Sequence, residues 1–311
     1  MIRAKAENWP PSRYSRRLQR RLIAVGEWFA REIEITNGSC VYRFRCETVR
    51  EFNRCLKVFS KEPGTVSWIN SNVEPGQVFY DIGANIGVYT ILAARRLSPN
   101  GRVYAFEPHV DNHASLLKNI LLNDLQEVVT PCSFALHSEE GFSNFRYNST
   151  NPGVSDNQFA AAAIKIYNAQ AAQLTELKFG TTIDCLLERG AIQYPHHVKI
   201  DVDGNEYQIL RGMTKLLAHP KAPLTVQVEL NEPDAEATAE LFMRYHYNLD
   251  ERHYARSSMR RIINTGSTKQ ATCNAIFRLT NEEARGSGSR QMFLSKSVTE
   301  LKREPRQLIE D

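Results

Sequence analysis

Gln77-Val78-Phe79-Tyr80-Asp81-Ile82-Gly83-Ala84-Asn85-Ile86-Gly87 runs from an apolar strand through an acid into a G-x-N-x-G turn, and helix-forming residues follow at once. A parallel strand that feeds a helix through glycines brings main-chain N–H groups and the helix N-terminus against a polar ligand, because no Cβ blocks the approach. Gly83 and Gly87 are the permissive positions. Downstream, Gly101-Arg102-Val103-Tyr104-Ala105-Phe106-Glu107 reads as a second strand that ends in an acid. An acid about 20 residues after such a turn is where a dinucleotide-type fold holds a ribose hydroxyl, so Glu107 is the ribose candidate. Each feature alone is common in ordinary βα units, and it is the pair at this spacing that argues for a nucleotide-type pocket.

The turn is not the G-x-G-x-x-G of nicotinamide enzymes, and Asp81 stands immediately before its strand end. A pyrophosphate would be repelled by that carboxylate. A ligand with a positive end, such as the amino group of S-adenosylmethionine, suits it better.

Outward from this turn the chain alternates short apolar strands with helical stretches, the pattern of a parallel sheet covered on both faces. Strands are expected at 77–82, 102–106, 128–135, 197–202, 223–230, about 246–254 and 272–279, with helices at 87–97, 110–123, 181–189, 204–217 and 234–245. The stretch from Gly141 to Gln158 is polar and turn-rich, and an alanine-rich helix is expected at 159–173. An insertion of this kind, taken here as 141–175, is usually a substrate loop or lid. Residues 1–70 read as a cap of helices and a short strand, residues 71–282 as the main domain, and 283–311 as a flexible charged tail. Within the cap, Arg13, Arg16, Arg17, Arg20 and Arg21 lie beside Leu18, Leu22, Trp28 and Phe29. A surface helix packed on the main domain explains this pattern most simply, with a membrane-surface or partner role for residues 13–33 as the alternative.

At 311 residues and 42% hydrophobic content the chain can bury one large core. No segment approaches the roughly 18 to 20 apolar residues of a membrane span, and the first residues lack the apolar stretch of a secretory signal, so a cytoplasmic location is expected. The six cysteines form no C-x-x-C pair, which points to reduced structural thiols rather than zinc or a redox dithiol. A net charge of +4 is too mild for whole-protein steering onto nucleic acid.

Six ordered blocks give the chain a family likeness: Phe79-Tyr-Asp-Ile-Gly-Ala-Asn-Ile-Gly-Val-Tyr-Thr90, Val103-Tyr-Ala-Phe-Glu-Pro108 with Asn119 and Asn123, Ala135-Leu-His-Ser138, Thr182-Ile-Asp184, Val198-Lys-Ile-Asp-Val-Asp-Gly-Asn-Glu206 and Val228-Glu-Leu230. Over residues 60 to 280 it resembles the FkbM-type S-adenosylmethionine-dependent methyltransferases. The resemblance implies an α/β class I methyltransferase (Rossmann-like) fold. Its sheet has seven mostly parallel strands in the order 3-2-1-4-5-7-6, the last antiparallel, with helices on both faces. It also implies cofactor contacts at Tyr80, Asp81, Gly83, Asn85, Gly87, Glu107 and Asp201, with Ser133 and Ala135 near the adenine. Asp203 departs from the glutamate that many relatives carry there, a conservative difference.

In open α/β sheets ligands bind outside the carboxyl ends of the strands, which selects Asp81, Glu107, His109, Ala135 to His137, Asp201, Asp203 and Glu229. His196 and His197 fall at the opposite end and read as structural. Asp201 is the first candidate for a catalytic or substrate-orienting group, with Asp203, Glu206 and Glu229 as neighbours that could act as base or metal ligands. No dedicated metal site is predicted, although a divalent metal would find carboxylates enough. The bland alternative for Asp203 and Glu206 is that they cap the next helix. Lys199 shares a strand face with Asp201 and needs a buried partner, with Asp201, Glu229 or Asp81 as candidates.

The absence of a [DNS]-P-P-[YFW] run after the fourth strand argues against transfer to an exocyclic amine, and the likeness points to hydroxyls of sugar-containing, glycan or secondary-metabolite acceptors. Arg252, His253, Arg256, Arg260, Arg261 and Lys269 are expected to rim the cleft and to meet an anionic acceptor group, or else to form a solvated loop. An RNA methyltransferase and a nicotinamide-dependent oxidoreductase are the rival functions. No clear nucleic-acid partner emerges, and a homodimer stays open.

Overall fold

The computed structural model describes Arg21 and residues 31–155, 157–160, 174–231, 233–254 and 272–280. Arg31–Asn37 (β1) and Cys40–Cys46 (β2) form an antiparallel hairpin. Val49–Leu56 (α1) starts at a capping box in which the Thr48 hydroxyl accepts from Glu51 N and the Glu51 carboxylate accepts from Thr48 N, so two otherwise orphaned amides are satisfied. Val58–Lys61 (α2) and Pro63–Asn72 (α3) follow, with Pro63 at the first helical position, where its missing N–H costs nothing.

The main sheet is laid down by Val78–Ile82 (β3), Val88–Leu97 (α4), Arg102–Phe106 (β4), Val110–Leu122 (α5) and Val129–Cys132 (β5). A second sheet then interrupts it: Ala135–Leu136 (β6), Gly141–Tyr147 (β7), Gln158–Phe159 (β8) and Leu174–Thr181 (β9). The chain returns through Ile183–Glu188 (α6), His197–Ile200 (β10), Glu206–Arg211 (α7), Thr214–Ala218 (α8), Thr225–Leu230 (β11), Ala235–Arg244 (α9), Tyr247–Tyr254 (β12) and Cys273–Leu279 (β13).

The seven strands are ordered β12-β13-β11-β10-β3-β4-β5, parallel from β11 to β5, with β13 antiparallel to both of its neighbours. This is the order implied by the family likeness. Side chains alternate across the sheet as strand geometry requires: Tyr80 and Ile82 enter one apolar cluster and Phe79 the other, where Trp68 from α3 lies 5.6 Å from its ring. Residues 42–73 thus build part of the same core as the sheet. Chain order reverses between β3 and β10, which opens a crevice at their carboxyl ends.

Several expectations are corrected. The strand foreseen at 128–135 stops at Cys132, and Ala135–Leu136 pairs instead with Gly180 and Thr181 of β9. The polar stretch 141–158 is not simply a loop, since β7 crosses between β8 and β9 in the sheet β6-β9-β7-β8. Its polarity reflects one solvent-facing side, on which Phe142 is 72% exposed. The helix foreseen at 204–217 divides into α7 and α8 at Gly212, where a Cβ would fall 2.1 Å from the His137 carbonyl oxygen. Most of 13–33, residues 161–173 of the helix expected at 159–173, Arg256 to Lys269 and the tail lie outside the described residues; residues 31–33 belong to β1, and Phe159, where that helix was expected to start, belongs to β8. Among the described residues no helix is long and apolar enough to cross a membrane, and the six cysteines are free thiols.

Candidate active site

Gly83 and Asn85 sit in left-handed conformations, with φ of 83° and 52°, and fold the turn back against the end of β10. A Cβ on Gly83 would stand 1.9 Å from the Asp201 carbonyl oxygen, so the approach of the two strand ends depends on glycine. Asn85 tolerates its own positive φ because its side chain is tied locally: Oδ1 accepts from Ile86 N at 3.0 Å and Nδ2 donates to the Val154 carbonyl at 3.0 Å.

Glu107, at the end of β4, closes the other side of the turn. One carboxylate oxygen accepts from Asn85 N at 2.7 Å and the other from His109 N at 2.8 Å. Burial pushes its carboxyl up to about 7 against the pull of those two amides. It stands in the cleft wall beside Gly83 and Asn85.

The cleft encloses about 690 Å³, counting the part open to solvent. Asp201, Asp203 and Glu229 line it together with Glu107, Gly83 and Asn85, so the three catalytic candidates converge on the glycine turn. An adjoining apolar recess of about 370 Å³, again counting the part open to solvent, is walled by Phe106, Phe134, Ala135, Leu136, Phe159 and Ile209 among others. A flat apolar ring fits the recess, ribose hydroxyls fit Glu107, and a sulfonium fits a cleft rich in carboxylates. These residues therefore suit S-adenosylmethionine.

Other expectations are not met. Tyr80 belongs to the core, its hydroxyl donating to the Gln193 carbonyl at the far end of the sheet. Gly87 starts α4 and faces Leu116 rather than the cleft. Ser133 is exposed and lines neither the cleft nor the recess. Asp81 is fully buried beneath the turn; Thr90 donates to its Oδ2 at 2.5 Å, and its positive neighbour is Lys199, 3.7 Å from Oδ1. The charge that the sequence assigned to a ligand is thus the chain's own ammonium, and burial pushes the Asp81 carboxyl up despite it. His109 is a structural residue: Nδ1 accepts from Asn112 N to cap α5, and Nε2 meets the Ser149 carbonyl at 2.8 Å. His137 packs against Phe159 outside the cleft.

Asp201 lies just past β10 and remains 28% exposed. Burial opposes its charged form, but the Lys199 ammonium at 3.1 Å prevails and holds its carboxyl below the usual range. Glu229 moves the other way: burial, reinforced by the charge of Asp201, pushes it up to about 8, and Asn231 Nδ2 donates to it at 2.9 Å. Two carboxyls lining one cleft are thus driven in opposite directions by their surroundings. Asp203, with φ of 60°, lines the cleft, whereas Glu206 turns inward to accept from Val202 N and Gly204 N. Glu206 therefore shapes the turn rather than the chemistry.

Sequence reasoning missed Arg54, Lys61 and Glu62, which the short N-terminal helices bring to the cleft wall. Arg54 donates to the Gly153 carbonyl and the Ser155 hydroxyl, fastening the 153–155 segment across the cleft. Asn112 assists, its Nδ2 donating to Val154 O and its Oδ1 accepting from Gly153 N. No local periodicity marks contacts made across some 100 residues of sequence.

The strand order, the antiparallel final strand and an acid closing a glycine turn define a class I methyltransferase fold. The chain belongs to the FkbM methyltransferase family, whose "Methyltransferase FkbM domain" model matches residues 81–255. It is similar to the hexuronic acid methyltransferase AglP of Haloferax volcanii, 27% identical over 175 residues that make up 56% of this chain and 65% of AglP. It is also similar to the methyltransferase sdnD of Sordaria araneosa, 26% identical over 52% of this chain and 70% of that protein. A solved FkbM methyltransferase from Methylobacillus flagellatus aligns over 64% of this chain and 43% of that one, at 15% identity and a TM-score of 0.40. A S-adenosylmethionine-dependent O-methyltransferase from Thermotoga maritima aligns over 80% and 78%, at 11% identity and a TM-score of 0.40. Both superpositions are loose, and the fold assignment rests on strand order.

Proposed function

We propose that this chain is an S-adenosylmethionine-dependent O-methyltransferase that acts on a hydroxyl of a sugar-containing, glycan or secondary-metabolite acceptor. Family membership and the names of AglP and sdnD support the class. The observation that carries the reading is the pair Asp201 and Glu229, one held ionised and the other protonated, at the cleft that Glu107 and Gly83 also line.

The donor would be held by Gly83, Asn85 and Glu107, with its adenine in the recess near Ala135, and it supplies an electrophilic methyl group. Asp201 takes the proton of the acceptor hydroxyl as its oxygen becomes the nucleophile. Glu229, protonated below about pH 8, donates a hydrogen bond that orients the acceptor. Asp203 offers a further acceptor for a neighbouring hydroxyl. Holding the reacting groups in line is the larger part of the task, and the 153–155 segment together with the N-terminal helices supplies that enclosure.

Methyl transfer from labelled S-adenosylmethionine to a panel of uronides and neutral glycosides tests this. General-base catalysis contributes roughly 10²- to 10⁴-fold, so Asp201→Asn is expected to lose that much turnover while S-adenosylhomocysteine still binds. Near-normal turnover in Asp201→Asn would remove it as the base.

A further inference from the structure

Lys199 is 1% exposed in the middle of β10, and its strand register places it directly opposite Asp81 of β3 and Gln227 of β11. A buried ammonium must be compensated, and Asp81, equally buried, would suffice for that. The geometry is different. Nζ stands 3.7 Å from Asp81 Oδ1 but donates a hydrogen bond at 3.1 Å to Asp201, two residues along the same strand face and at the cleft. Asp81 Oδ1 is left buried without a hydrogen-bond partner, and Gln227 Oε1 likewise. Nζ lies 5.2 Å above the Tyr89 ring, which braces it from α4. The lysine thus favours the carboxylate that faces the cleft over the one that shares its burial.

We propose, on the footing of the O-methyltransferase reading above, that Lys199 is a positioning residue: its ammonium fixes the Asp201 carboxylate at the cleft and ties it to Asp81 beneath the donor turn. One buried cation thereby couples the strand that carries the donor turn to the group that takes the acceptor's proton.

The other charged groups around this pair are Arg54, Lys61 and Glu62 from the N-terminal helices, Asp203 and Glu206 beyond β10, and Glu229 on β11. Arg54 and Lys61 act on Asp201 in the same direction as Lys199. Among the described residues, Lys199 is the cation in hydrogen-bonding contact with Asp201. Its removal therefore dominates, while burial of Asp201 persists and drives its carboxyl upward.

The test is a pH titration of the Asp201 side-chain carboxyl by carbon-13 NMR in the full chain, comparing wild type with Lys199→Met and Lys199→Arg. The expected result is an Asp201 that titrates below the ordinary aspartate value of about 3.9 in wild type, moves above it in Lys199→Met, and returns toward the wild-type position in Lys199→Arg. Should Lys199→Met fail to fold because Asp81 is left as an orphaned buried charge, the double variant Lys199→Met/Asp81→Asn removes both charges and is expected to show the same upward move. An Asp201 that titrates at its wild-type pH in either folded variant overturns the proposal. S-adenosylhomocysteine titrated into wild type by calorimetry separates the two claims. Failure to bind defeats the O-methyltransferase reading and the lysine's role in it together, whereas binding with an unmoved Asp201 defeats the lysine's role alone.

Discussion

At the amino end of the central strands, polar side chains satisfy one another. Trp68 Nε1 donates to the Thr225 hydroxyl at 3.0 Å, that hydroxyl meets His197 Nδ1 at 2.7 Å, and His197 Nε2 meets Gln77 Oε1 at 3.0 Å. His196 Nδ1 accepts from Val78 N, and Tyr80 donates to the Gln193 carbonyl. At the carboxyl end of the same strands, Asp201, Asp203, Glu107 and Glu229 face a cleft, where the Asp201 carboxyl is held below its ordinary value and those of Glu107 and Glu229 are pushed above theirs. Both ends bury polar groups. Among the described residues, the carboxyl end directs hydrogen-bonding capacity at a cleft, as a site does and a satisfied core does not.

The comparison can be broken at either end. The largest effect on folding is expected at the turn, where Gly83→Ala must drive a Cβ into the Asp201 carbonyl in a left-handed conformation. A loss of at least about 2 kcal/mol in urea denaturation is expected, together with loss of S-adenosylhomocysteine binding. At the opposite end, His197→Ala is expected to cost about 1–3 kcal/mol by orphaning Thr225 and Gln77, with ligand affinity unchanged. A change in affinity there would mean that the two ends are not independent.

The pH dependence of stability separates His197 from Glu229 by sign. Burial lowers the folded pKa of His197 to about 4, below its ordinary 6.5, so the unfolded chain takes up a proton that the folded chain refuses. Its contribution is complete above about pH 6.5 and is lost as pH falls toward 4. Glu229 is raised to about 8 from 4.5, so the folded chain keeps a proton that the unfolded chain releases, and stability falls as pH rises through that window. His197→Gln should flatten the acid limb of a melting-temperature profile and Glu229→Gln the alkaline limb. The smallest effect is expected far from both ends: Glu34→Gln removes an exposed pair with Arg43 and should change stability by under about 0.5 kcal/mol.

The alternation of strands and helices and the pocket-forming turn were legible because they are written in local patterns: apolar strands of fixed period, glycines where φ is positive, and an acid at a set distance; the strand order came from the family likeness. The partners of Lys199 were legible because a charge inside a central strand leaves few solutions. Asp81 received two readings from the sequence, a ligand's positive end and Lys199, and the register that sets β10 beside β3 delivers the lysine. The four-stranded sheet was missed because β7 and β9 each expose a face, which weakens their hydrophobic signal. Arg54, Lys61 and Glu62 were missed for a third reason: their place in the cleft depends on how the N-terminal helices pack, and no short-range spacing encodes that.

The account turns on whether the carboxyl end of the sheet binds the donor. Calorimetric titration of S-adenosylhomocysteine into wild type, Glu107→Gln and His197→Ala tests this most directly. Binding by wild type and His197→Ala, with affinity weakened by about tenfold or more in Glu107→Gln, is the predicted result, since loss of a charged hydrogen bond is worth roughly 1.5–3 kcal/mol. No binding by wild type, or equal affinity in Glu107→Gln, would contradict it.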